Sequence, residues 1–221
     1  MVNWEVIDTV LIDMDGTLLD LHFDNYFWTE YLPQAYAAKY RIGEAVTIEQ
    51  LQTQHDIETG TLQWYCVEHW SRELDMDVSA LKRSLGDMIA PRPYAIEFLT
   101  RLQSIDKEVL MVTNAHRKAL DLKMEQVKIS HYFDRLVVSH ELNAPKEHYL
   151  FWEKLQELHP FDRKRTLLID DTERILHRAQ EYGIGHLITL LQPDSRGQIR
   201  TGTQFPGIHH FDEIMPTAKF G

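Results

Sequence analysis

The 221-residue sequence predicts an α/β protein, a parallel sheet interrupted by a helical insertion. Three observations carry that reading. Short branched or leucine-rich runs alternate with amphipathic stretches through the second half of the chain, as strands and crossover helices do in a parallel sheet. The interval from Thr17 to Arg92 breaks the alternation. Finally, the residues best suited to chemistry follow directly on the strand-like runs.

The first strand is expected at Thr9 to Ile12. The interval after it contains no convincing strand and no proline between Pro33 and Pro91, so it reads as helical. Phe23, Tyr26, Phe27 and Tyr31 recur at helical spacing, as do Leu62, Tyr65, Cys66, His69, Trp70 and Leu74, each set forming one apolar face. Thr47 followed by Gln50 predicts a capping box for a further helix, and three or four such helices can pack as a small bundle. Pro91 and Pro93 mark the return to the core. The next strand is expected at Val109 to Val112, followed by a helix carrying Ala119, Leu122 and Met124 to Val127. Leu136 to Val138 predicts the third strand and Tyr149 to Leu158 its helix. Thr166 to Ile169 predicts the fourth, with Ile175 to Tyr182 after it, and Leu187 to Leu191 is a weaker fifth. Pro193 to Pro206, with Gly197 and Gly202, reads as surface loop. The expected division is therefore a core of residues 1–16 and 93–221 and a helical unit of residues 17–92.

Composition narrows the function. With 23 basic and 34 acidic residues, the net charge of −11 repels polyanions. Nucleic-acid polymers and anionic membrane surfaces are not expected as partners. Cys66 is the single cysteine, so no internal disulfide can form and no thiolate cluster can hold zinc. Val10 to Ile12, between Asp8 and Asp13, is too short for a signal peptide's apolar segment, and no run approaches the length of a membrane span. A cytoplasmic protein is expected.

Asp13 and Asp15 follow the first strand, Thr113 and Asn114 the second, Lys146 the third, and Asp170 and Asp171 the fourth. Ligands bind outside the carboxyl ends of strands in such sheets, so these residues should converge. Taken singly, each is ordinary: Asp15-Gly16 suits a turn, and Asp171 or Thr172 suits a helix cap. It is their succession at four strand ends that points to function. Several carboxylates in one pocket repel one another unless a cation neutralises them. Oxygen-only ligands favour a hard ion such as magnesium. Pro145 places Lys146 in the first turn of a helix, where the macrodipole disfavours a cation unless an anion is bound nearby. A metal, a lysine, a hydroxyl and paired aspartates together suit phosphoryl transfer. Asp13 can then attack phosphorus, and Asp15 can serve as general acid and base.

The succession Asp13-Met14-Asp15-Gly16-Thr17, Thr113, Lys146 and Asp170-Asp171 resembles the haloacid dehalogenase superfamily. The resemblance implies a Rossmann-like sheet of strand order 5-4-1-2-3 and a helical cap of the C1 type inserted after the first strand. It implies that Asp13 is the nucleophile and Asp15 the general acid and base. The Asp13 carboxylate, the Asp15 main-chain carbonyl and Asp170 would hold magnesium, with Asp171 acting through water. Thr113, the Asn114 main chain and Lys146 would bind the phosphoryl group. Dehalogenases usually lack the second aspartate, so Asp15 argues against dehalogenation. The segments FDNYFW at 23–28, LQWYC at 62–66, TNAH at 113–116, PKE at 145–147 and LLIDDTERIL at 167–176 resemble the bacterial purine nucleotidase branch, which is associated with GMP and IMP. Asn143 and Ala144 depart from the glycine and aromatic residue of that branch, outside the catalytic set.

The substrate expected is a small phosphorylated metabolite. The cap carries six basic and twelve acidic residues, which argues against long polyanions. Most of its aromatics should be bundle core. The segment His22 to Trp28, directly after the catalytic loop, is the part best placed to touch substrate, with His22 and Asn25 as candidates. His116 fits a cap or a surface position better than catalysis. A small sugar-phosphate or phosphoglycolate phosphatase, a phosphomutase, and a noncatalytic metal- or nucleotide-binding module remain as alternatives.

Overall fold

The computed structural model describes residues 2–216. Its sheet is assembled from β1 (Thr9–Ile12), β2 (Glu108–Thr113), β3 (Arg135–Val138), β4 (Thr166–Ile169), β5 (His186–Leu190) and β6 (Gly207–Ile208). All pairs are parallel and the order is β3-β2-β1-β4-β5-β6. The expected order 5-4-1-2-3 is therefore present, extended at one edge by β6. In register, Leu11 lies opposite both Leu110 and Leu168. A sheet covered on both faces buries every residue of its central strands, which is why β1 and β4 are buried throughout and apolar in three consecutive positions.

Helices α6 (Ala95–Ser104), α7 (Arg117–Val127), α8 (Tyr149–Leu158) and α9 (Glu173–Tyr182) cover the two faces. Val10, Ile12, Met111 and Ile169 pack with Phe98, Leu120 and Phe211 on one side. Leu11, Leu110, Val112 and Leu168 pack with Phe151, Trp152 and Leu176 on the other.

Between β1 and α6 the chain forms α1 (His22–Tyr26), α2 (Leu32–Tyr40), α3 (Glu44–Glu58), α4 (Val67–Glu73) and α5 (Val78–Ser84). A wider turn of helix at Phe27–Tyr31 joins α1 to α2. Leu19 bridges to both Asp15 and Pro91, so the outgoing and returning segments lie together at its base. Phe23, Phe27 and Trp70 are buried and continuous with the core, so most of the aromatic stripe is indeed packing. The loop after β5 is tied to this junction: Pro193 O accepts from the Leu21 N–H at 3.1 Å and from Arg92 Nη1 at 2.9 Å. Arg92 also donates to the carbonyls of Gln192 and His209. Among the described residues no helix is long and apolar enough to cross a membrane.

Two local expectations need correction. Thr47 is not an N-cap, because α3 starts at Glu44 and the Thr47 hydroxyl donates back to Gly43 O at 3.1 Å; the Gln50 side chain lies outside the described residues. Lys146 is not in the first turn of a helix either. Its N–H is taken by Asn114 Oδ1 at 2.9 Å, the next turn closes from His148 N–H to Pro145 O, and α8 begins only at Tyr149.

Candidate active site

The carboxyl ends of β1, β2 and β4 and the turn before α8 meet at one point. The Asp13 N–H donates to Ile169 O at 3.0 Å, so the loop leaving β1 is still in register with β4 when it delivers the Asp13 carboxylate. Gly16 then turns the chain with φ +80°, and a Cβ there would stand 2.8 Å from Asp171 Cγ. Only glycine combines that backbone with so close an approach. Thr17, fully buried, accepts the Asp171 N–H on Oγ1 at 3.1 Å. Asp170 Oδ1 accepts the Thr172 N–H at 2.9 Å, which orients its other oxygen inward.

Lys146 Nζ donates to Asp13 Oδ1 at 2.5 Å, Asp170 Oδ2 at 2.7 Å and Val112 O at 3.1 Å, with its side chain 1% exposed. Thr113 Oγ1 accepts the Ala115 N–H at 3.0 Å. Asn114 holds the Lys146 N–H through Oδ1 and donates through Nδ2 to Glu147 Oε2 at 2.9 Å. The predicted residues Asp13, Thr113, Asn114, Lys146, Asp170 and Asp171 therefore line one cavity of about 270 Å³, together with Asp15.

Asp13, Asp170 and Asp171 each bring a carboxylate oxygen within 4.8 Å of the others, all buried. Burial and the neighbouring carboxylates push Asp13 and Asp171 up to about 7 and Asp170 up to about 6, although Lys146 opposes the rise. Such a set is costly in isolation and suits a hard divalent cation, since every donor is oxygen. The residues fit a metal of that kind.

Asp15 faces the insertion. Its Oδ1 accepts from Lys123 Nζ at 2.6 Å, and the same ammonium donates to Asp24 Oδ2 at 2.6 Å. Asp24 Oδ1 in turn accepts from Lys82 Nζ at 2.7 Å. Burial lifts the Asp15 carboxyl despite Lys123. Burial works against Asp24 as well, but Lys123 and Lys82 hold it far below the usual carboxylate range. Sequence reasoning missed Lys123, Asp24 and Lys82. The available signal was spacing: Lys123 stands four residues after buried Ala119 and Lys82 four after buried Val78, each a cation on a core-facing stripe.

A second missed contact lies beside the phosphate-binding candidates. The Tyr65 hydroxyl donates to Glu147 Oε1 at 2.7 Å, and Arg174 Nε donates to the same oxygen at 3.2 Å. Trp28, Trp64 and Asn25 face the cavity from the insertion. Asn25 Nδ2 donates to Asp194 Oδ2 at 2.7 Å. His22 does not line the cavity; its Nδ1 lies 3.5 Å from Asp194 Oδ1. His116 is the N-cap of α7, accepting the Lys118 N–H.

Residues 10–188 match the haloacid dehalogenase-like hydrolases. The chain belongs to that family. Among haloacid dehalogenase-like hydrolases it is 35% identical to the GMP/IMP nucleotidase YrfG of Escherichia coli (strain K12), over 98% of this chain and 97% of that protein. The pyrimidine 5′-nucleotidase YjjG of the same organism is 24% identical over 48% of each chain. A HAD phosphatase from Thermococcus onnurineus shares the fold, with a TM-score of 0.78 and 18% identity over 94% of this chain and 96% of that one. The departure at Asn143 is conformationally mild: its φ of +50° is the left-handed region that glycine favours and asparagine tolerates.

Proposed function

We propose that this hydrolase removes the phosphate of purine nucleoside 5′-monophosphates, GMP and IMP foremost, in a magnesium-dependent reaction through an aspartyl-phosphate. The observation that carries the chemistry is the convergence of Asp13, Lys146 and Asp170 within hydrogen-bonding distance, with Asp15 beside them in the same cavity. The substrate class rests on the near full-length similarity to a GMP/IMP nucleotidase.

In this reading the Asp13 carboxylate attacks phosphorus while Thr113, the Asn114 N–H and Lys146 hold the phosphoryl oxygens. The bond from phosphorus to the ribose 5′-oxygen breaks, and Asp15 gives that oxygen its proton. Burial favours the protonated form of Asp15, as this role requires. The Asp15 carboxylate then takes a proton from water, whose oxygen attacks phosphorus and releases inorganic phosphate from Asp13. Magnesium held by the Asp13 and Asp170 carboxylates and the Asp15 carbonyl, with Asp171 acting through water, would supply charge that offsets the phosphoryl oxygens. The helices of residues 17–92 act as a cap, with Trp28 and Trp64 offering flat surfaces to a base. We place the enzyme in the cytoplasm, where mononucleotides are found.

The test is phosphate release from GMP, IMP, AMP, UMP and several sugar phosphates, with magnesium and with excess chelator. Magnesium-dependent release strongest with GMP or IMP is expected. Preference for a sugar phosphate would overturn the substrate assignment, and no release from any of them would overturn the reaction.

A further inference from the structure

The ladder Asp15, Lys123, Asp24, Lys82 has no part in the mechanism above, yet it ends on the residue that moves both protons. Its members come from separate elements. Lys123 lies on α7 of the core, Asp24 on α1 and Lys82 on α5 of the insertion. Lys123 is 1% exposed, and its ammonium divides between two carboxylates at 2.6 Å each. Each oxygen of Asp24 takes one ammonium. Lys82 Nζ also sits over the rings of Phe27, Phe23 and Trp28 at 4.7, 5.2 and 5.4 Å. Both ends of the ladder are thus held, one by the aromatic packing of the insertion and one by the loop after β1.

Buried ion pairs are weak devices for stability, since apolar residues of similar volume often serve as well. What they supply is a fixed geometry. Here the geometry fixed is that of Asp15, whose Oδ1 is held by Lys123 at 2.6 Å while the carboxyl group lines the cavity. We propose that Lys123 is a positioning residue that holds Asp15 for proton transfer, and that Asp24 and Lys82 make this orientation depend on the seating of the cap. The proposal rests on the phosphatase reading and adds to it the residues that couple the cap to the acid.

The test compares two leaving groups. A nucleoside 5′-monophosphate expels an alkoxide and depends on a proton donor, whereas p-nitrophenyl phosphate expels a stabilised phenolate and hardly does. For both substrates kcat/KM reports steps up to transfer onto Asp13, before Asp15 acts as base. General acid catalysis contributes roughly 10²–10⁴-fold, so Lys123→Met should lose at least about tenfold more kcat/KM with GMP than with p-nitrophenyl phosphate. Asp24→Asn, which removes one anchor of Lys123, should show the same skew at smaller size, and it serves if Lys123→Met does not fold. Equal losses on both substrates, or none, in an otherwise folded variant overturn the positioning role while leaving the phosphatase reading intact. If GMP is not the substrate, the alkyl phosphomonoester preferred in the substrate panel takes its place. A wild-type protein that hydrolyses no phosphomonoester overturns both.

Discussion

A single methyl group at position 16 should damage both the fold and the proposed metal site. Gly16 has a φ of +80°, and a Cβ built there meets Asp171 Cγ and Oδ2 at 2.8 Å and Oδ1 at 3.2 Å. Ordinary carbon contacts lie near 3.5–4.0 Å, so the carboxylate must retreat by about 1 Å. Its backbone cannot follow easily, because the Asp171 N–H is held by Thr17. A left-handed conformation costs a residue with a Cβ roughly 1–2 kcal/mol, and forced overpacking adds about 1–3 kcal/mol. Gly16→Ala should therefore cost about 2–5 kcal/mol, a fall in Tm on the order of 4–20 °C for a chain of this size. Displacing the Asp171 carboxylate from Asp13 and Asp170 should also weaken the proposed magnesium activation by roughly 10–100-fold. Gly202 supplies the control, since its φ of +72° is similar but a Cβ there meets nothing within 4 Å. Gly202→Ala isolates the backbone cost, and in an Asp171→Ala background Gly16→Ala should cost no more than that. Thermal denaturation in chelator and magnesium titration of phosphate release measure the two effects. A Gly16→Ala protein as stable as Gly202→Ala, with an unchanged magnesium requirement, would refute the reasoning.

Asp13→Asn should keep the circular dichroism of the wild type and lose phosphate release entirely; residual wild-type-like turnover would remove Asp13 as nucleophile. The chelator-treated protein should gain stability as pH falls from 8 to 5. Asp13 and Asp171 are raised to about 7 and Asp170 to about 6 from an ordinary 3.8, so the folded state binds more protons in that window, and the gain is lost as pH rises through 6 to 7. A thermal midpoint that drops steadily from pH 8 to 5 would contradict this. Tyr65→Phe deletes the 2.7 Å hydrogen bond to the Glu147 carboxylate. Such bonds contribute about 1.5–3 kcal/mol to the folded state, so denaturant unfolding should report a loss of that order. An unchanged stability would show that this bond contributes nothing to the folded state.

The core and its reactive strand ends were legible because burial on two faces leaves a plain mark. Thr9 to Ile12 and Thr166 to Ile169 each carry three consecutive apolar residues after a threonine and are buried throughout, and each is followed at once by aspartates. Long-range polar pairing leaves no such mark. Nothing in the local sequence joins Lys123 to Asp15, 108 positions apart, or Tyr65 to Glu147, 82 apart. A lysine on a helical stripe reads as a solvated interruption until its partner is known. The start of α3 was misread for a related reason: the Thr47 hydroxyl has two local options, capping or bonding back to the preceding turn, and sequence does not choose between them. The β6 strand, two residues long, is too short for any periodicity and exists because Thr189 and Leu191 of the neighbouring segment find carbonyl partners in Pro206 and Ile208.

In the proposed mechanism, the two contacts that sequence missed join the insertion to the groups that act on phosphate. One runs from Tyr65 through Glu147 to Asn114, which also holds the Lys146 N–H. The other runs from Asp24 through Lys123 to Asp15. The first ends on the proposed phosphate grip and the second on the proposed acid. Trp64 adjoins Tyr65, and Trp28 lies one turn from Asp24, so the surfaces offered to a base are carried by the same segments that make these contacts. On that reading, a base seated on these surfaces would also bear on the alignment of the catalytic groups. Binding energy gained far from phosphorus is spent on orientation, so a substrate that fits the aromatic surfaces badly is penalised in the chemical step as well as in binding.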